Sequence, residues 1–189
     1  MSLEAFQSRI KDSIPRNLAE EFLLADRVHI FQDEQSYSCF RGSVSGLFDG
    51  CDHIAVVGSG NWRFSLNPNK GFREFGSHSD VDVAVISTNQ FTVLWEEMRS
   101  RHRLHFYRLP ESRRDQLRRD SENVYAGFIS PMWIPNRDAV ADYEFRRKLN
   151  RLSDVTVNYL RVKMLFFKNL TEAVDYYSRG FSLARRALK

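Results

Sequence analysis

Asp80 and Asp82 stand one residue apart in an apolar run, and 20 residues lie between them and an upstream Gly58-Ser59 pair. Side chains two apart on a strand project to the same face, so both carboxylates can converge on one point. Like charges this close repel, and burying them unpaired is expensive. A divalent cation removes that cost. Magnesium favours a few carboxylates, water and substrate phosphates over an all-protein cage. A pair of such metals stabilises both the attacking and the leaving oxygen of an in-line displacement. Gly58 lets the backbone approach a phosphate closely, and Ser59 adds an N–H and a hydroxyl. A helix starting near Gly60 would add its positive end. The chemistry indicated is metal-assisted phosphoryl transfer.

The elements that must hold these residues can be read from the apolar periodicity. His53–Val57 is a short β-branched run and predicts a buried strand running into Gly58. Asp80–Ile86 alternates, with Val81, Val83 and Val85 on one face and Asp80, Asp82 and Ala84 on the other. Before the first strand, residues from about Leu3 to Ile30 read as helical with a break at Pro15, and a second helix covers Glu34–Phe48 up to Gly50. Thr88 to about Arg103 is helical, and Asn123–Ile129 is a third strand candidate. Pro131 and Pro135 make Ser130–Asn136 an extended loop. From Val155 to Tyr177 apolar residues recur every three or four positions, which predicts one long C-terminal helix. On its polar side Arg161 and Lys168 share a face and could neutralise a triphosphate.

The expected architecture is therefore α/β. A small mixed sheet carries the Gly-Ser and Asp-x-Asp strands, helices flank it, and a long helix closes the chain. With 189 residues the chain forms one domain: a helical part over 1–50, the sheet core with the site over 51–136, and a helical part over 137–189. The net charge of +4 suits an anionic substrate but does not by itself indicate a nucleic-acid binder. Cys39 and Cys51 form no metal pattern and are expected to stay reduced in a cytoplasm. No apolar run spans a membrane, and the N-terminal residues lack a secretory signal pattern.

The run VVGSG, a spacer, then SDVDVAVI resembles the polymerase-beta-like nucleotidyltransferase superfamily. The resemblance covers about Phe48 to Ser87. It implies Gly58 and Ser59 at the NTP phosphates, and Asp80 and Asp82 as catalytic ligands of Mg2+ or Mn2+. The implied reaction moves an NMP group from an NTP, with ATP the expected donor, to a hydroxyl on a protein, a small molecule or a nucleic-acid end.

Two departures accompany it. The spacer is long and mixes aromatics with Arg63, Lys70, Arg73 and His78. It reads either as a flap over the nucleotide or as a loop with Trp62 and Phe64 tucked into the core. Active relatives also carry a third carboxylate on the following strand, and NVYAGFIS has none. Glu122 and Asp138 flank that region without matching the pattern. The rival expectation is thus a catalytically inactive module that binds a nucleotide or a partner. A third is a nucleic-acid-binding protein using Arg113, Arg114, Arg118 and Arg119.

Overall fold

The computed structural model describes all residues, 1–189. Its element order is α1 (Leu3–Asp12), α2 (Pro15–Leu23), α3 (Glu34–Ser45), β1 (His53–Val57), α4 (Ser59–Trp62), β2 (Val81–Ile86), α5 (Thr88–His105), α6 (Glu111–Tyr125), β3 (Phe128–Ile129), α7 (Ala139–Leu152), β4 (Val162–Phe167) and α8 (Leu170–Ala187). The expected α/β class is what the chain adopts: a four-stranded mixed sheet between helices, closed by a long C-terminal helix. No helix is long and apolar enough to cross a membrane.

The sheet order is β1-β2-β4-β3. β1 runs antiparallel to β2, β2 parallel to β4, and β3 antiparallel to β4. One residue row matters most: Val57 pairs with Asp82, and Asp82 pairs with Lys163. Alternation sends Val81, Val83 and Val85 into a core shared with α3, α5 and α7, around Tyr37, Phe91 and Phe145. It sends Ala84 and Ile86 into a second core with α1, α2 and α8, around Phe6, Phe22 and Phe181. Asp82 is therefore the polar end of a row that is apolar deeper in the sheet.

Local chemistry sets most boundaries. Pro15 starts α2 at a position that needs no amide donor. Asp33 caps α3 by accepting from Ser36 N at 2.7 Å. Ser87 caps α5, accepting from Gln90 N at 3.2 Å, and its hydroxyl donates to Gly50 O at 2.6 Å. That second bond ties the end of β2 to the turn before β1.

Three expectations are corrected. Residues Asn123–Tyr125 finish α6, and only Phe128 and Ile129 pair as a strand. Gly127, at φ +84°, turns the chain between them. The stretch from Val155 to Tyr177 is not one helix. It is a short 3-10 turn at Val155–Val157, then β4, then α8. Asn158 and Tyr159 both adopt positive φ, which ends the turn, and Asn169 caps α8 by accepting from Glu172 N at 3.0 Å. Between those breaks, VKMLFF finds backbone partners along β2 over its whole length. Helix from about Leu3 is also shorter than expected. It stops at Leu23, and His29 and Ile30 donate instead to Asn61 O and Gly60 O.

Candidate functional site

The first strand delivers Gly58 at φ +67° and ψ −157°, a region that side chains other than glycine's scarcely enter. A Cβ built on Gly58 would stand 3.0 Å from Asp82 Oδ2. Asp82 thus occupies the space that a side chain at position 58 would need. Behind the elbow, Asn61 is buried and its Nδ2 donates to Phe22 O at 2.7 Å and Val56 O at 2.8 Å. These bonds tie the turn to β1 and α2. The helix after Gly58 is only four residues long, Ser59–Trp62, so the dipole expected near Gly60 contributes little.

The aromatic residues of the spacer follow the second reading, a loop with Trp62 and Phe64 tucked into the core. Trp62, Phe64 and Phe72 are buried in the core beside α8, and a bridge between Phe64 and Glu74 closes the loop on itself. Its polar residues Ser65, Lys70, Arg73 and His78 meet Ser59, Asp80 and Asp82 around a small cleft of about 70 Å³. Glu74 also borders this cleft, but Arg63 engages it at 2.6 Å.

Asp80 and Asp82 differ in environment. Arg161 Nε donates to Asp80 Oδ1 at 2.8 Å, and Lys163 Nζ lies 2.6 Å from Asp80 Oδ2. Both carboxylate oxygens are engaged. Partial burial pushes the Asp80 pKa up, but the bonds from Arg161 and Lys163 overcome it and leave the group below its ordinary value. Asp82 has no such partner. Its oxygens face cavity water, yet protein walls crowd the carboxylate on most sides. That desolvation, with Asp80 adding repulsion against the pull of Lys163 and Lys70, pushes its pKa up to about 6.

Two larger cavities meet at Gly58 and Asp82. One, of about 680 Å³, extends toward α7 past Met132, Trp133, Leu149 and Met164. The other, of about 490 Å³, runs over Asn67, Lys70, Asn123, Phe128 and Arg179. Tyr176 borders both, and its phenol pKa is raised by burial and then by the Asp82 charge. Tyr177 is 9% exposed and packs among Trp62 and Phe167 beneath the site. Trp62 lines the second cavity, and its buried Nε1 has no hydrogen-bond partner.

Of the residues singled out in the sequence, Gly58, Ser59, Asp80, Asp82 and Arg161 are brought together, although Arg161 reaches Asp80 from a strand end and not from a helix face. Lys168 is not among them. It follows β4 at the far end from Arg161, roughly 23 Å away along an extended chain. There it lines a separate cavity with Trp95, Arg99, His102 and Arg103. The Arg113–Arg119 group lies on α6, where Arg118 pairs with Asp115 at 2.8 Å and Arg119 donates to Gln116. The sequence reading passed over Lys163, because it treated the segment as helix. The short, almost wholly apolar run VKMLFF, bounded by Asn158 and Asn169, is the signal for a buried strand.

No family model, curated protein or solved structure matches this chain.

The donor set can be tested against the divalent cation that the resemblance implies. A third carboxylate would have to stand opposite Asp82 on the neighbouring strand, and that position is Lys163. Glu122 is exposed on α6, and Asp138 spends its carboxylate capping α7 through Val140 and Ala141. No group of three or more His, Cys, Asp or Glu side chains is placed to share an ion. Two carboxylates face two cations, one of them an ammonium already seated on Asp80. These residues fit a divalent cation poorly.

Proposed function

We propose that the chain binds the phosphates of a nucleoside triphosphate at the Gly58 elbow and acts as a nucleotide-binding module of nucleotidyltransferase-like layout. The observation that supports this best is the meeting of three features at one junction: a glycine elbow beside Asp82, the Ser59 hydroxyl, and Lys70 and Arg73 across the cleft. In this reading Ser59, Lys70 and Arg73 hold the phosphates by charge-assisted hydrogen bonds. The nucleoside lies in the 490 Å³ cavity, with Phe128 and Tyr176 against the base and Asn67 and Asn123 at its polar edges.

The test is binding of a fluorescent ATP analogue followed by anisotropy, with unlabelled ATP as competitor. Lys70→Ala is expected to weaken binding by about 10- to 100-fold, the value of one lost hydrogen bond to a charged group. No saturable binding at millimolar ATP would end this reading.

The two carboxylates bordering one cleft, with Asp82 beside the elbow, favour a second reading, transfer of an NMP group to an unidentified hydroxyl. Its assay is label transfer from α-labelled ATP into cell extract with Mg2+ or Mn2+. Transfer that disappears in Asp82→Ala would replace the binding reading with the enzymatic one.

A further inference from the structure

We infer that Lys163 is a resident cation that stands in for the divalent metal, so that this site takes a nucleotide polyphosphate free of metal. The inference rests on the nucleotide-binding reading above and specifies the form of the ligand.

β2 and β4 are parallel neighbours, and Asp82 pairs with Lys163. Residues paired across a sheet project to the same face, so Lys163 is compelled to enter the space above the two aspartates. Its ammonium stands 2.6 Å from Asp80 Oδ2, and Arg161 holds the other oxygen at 2.8 Å. Each Asp80 oxygen thus already accepts from a cationic side chain, and a metal bound there would have to share that oxygen beside a full positive charge. Lys163 is also the strongest of the cations acting on the Asp82 carboxylate, ahead of Lys70 and Arg161. An incoming dication would meet a positive charge at the place where a third acid is needed.

The same ammonium suits the opposite task. It is a compact charge with three donors on a flexible stem. One donor on Asp80 leaves two for phosphate oxygens. Lys70 and Arg73 border the small cleft at Asp82, and Lys163 and Arg161 border the larger cavity onto which Asp82 also opens, so a polyphosphate at Asp82 is within reach of cations from both. Asp80 is paired with Arg161 and Lys163, and the charge of the unpaired Asp82 is opposed by Lys163, Lys70 and Arg161, so an entering polyphosphate meets more positive than negative charge. A nucleotide in this setting gains no advantage from carrying its own magnesium.

The experiment has two arms on the full chain. The first titrates Mn2+ into nucleotide-free protein, read by electron paramagnetic resonance. The wild type is expected to show no saturable site. Lys163→Asp supplies a third carboxylate and is expected to bind Mn2+ at least about tenfold more tightly than the wild type. Lys163→Met removes the ammonium without adding an acid and is expected to gain no such site. The second arm measures ATP-analogue affinity in EDTA and in Mg2+. Wild-type affinity is expected to agree within about threefold between the two, and Lys163→Met to lose about tenfold in EDTA. Saturable Mn2+ binding by the wild type overturns the inference, and so does wild-type nucleotide binding that requires Mg2+. Absence of nucleotide binding under either condition ends the nucleotide reading instead, and the Mn2+ arm still decides the role of Lys163. That arm's wild-type and Lys163→Met measurements stand even if Lys163→Asp does not fold.

Discussion

Asp82→Asn should make this protein more stable at neutral pH, by an advantage that grows from about pH 4 to about pH 6 and then levels off. The Asp82 pKa is pushed from 3.8 to about 6 by the cavity walls. One unit corresponds to about 1.4 kcal/mol, so a shift of about two units sets a ceiling near 3 kcal/mol. The Asp82 side chain is open to cavity water, and screening reduces this to about 1 kcal/mol. The sign follows from linkage. The folded state holds the Asp82 proton more tightly than the unfolded state does. Its contribution is fully present below the unfolded pKa near 4 and is lost as pH rises through about 6. Asparagine keeps the neutral shape and has no proton to lose. In a chain of this size 1 kcal/mol corresponds to about 2–4 °C in Tm. Melting followed by circular dichroism in EDTA should therefore place Asp82→Asn about 2–4 °C above the wild type at pH 7.5. The gap should close toward pH 4. A variant that melts below the wild type at pH 7.5, or a gap that does not change with pH, would refute the placement of a crowded, largely unpaired carboxylate at this elbow.

Two further outcomes test how the site is built. Gly58→Ala enters a glycine-only backbone region and sets a methyl 3.0 Å from Asp82 Oδ2, so it should cost about 2–3 kcal/mol, or about 5–10 °C in Tm. Gly71→Ala is the control: it also has positive φ, but nothing lies within 4 Å of the new methyl, and the loss should stay near 1 kcal/mol. Equal losses for both would mean that the contact with Asp82 does not constrain the elbow. Lys168→Ala should leave ATP-analogue affinity within about twofold of the wild type, because Lys168 lines a different cavity from Asp82. A loss as large as that of Lys70→Ala would return Lys168 to the phosphate site.

Much of this protein was legible from local pattern. Alternation in Asp80–Ile86 identified a strand with both aspartates on one face, and that face is where the Gly58 elbow meets Asp82. Pro15 marked the start of α2, while Asp33 and Ser87 cap α3 and α5, each satisfying an orphan amide within three residues of itself. The α/β class followed from the mixture of these two periodicities. The stretch from Val155 to Phe167 was misread for a definite reason. Its apolar residues satisfy helical spacing as well as strand alternation, and the deciding factor is the row of backbone partners on β2, more than seventy residues earlier.

That one pairing decided the character of the site. The amino-acid sequence alone determined that two carboxylates and a glycine elbow exist at a spacing able to converge, because both depend on neighbours within a few residues. Only the tertiary structure decided what stands opposite them. Strand order and register depend on contacts between distant segments, and they brought Lys163 and Arg161 onto Asp80 and carried Lys168 to the far end of β4.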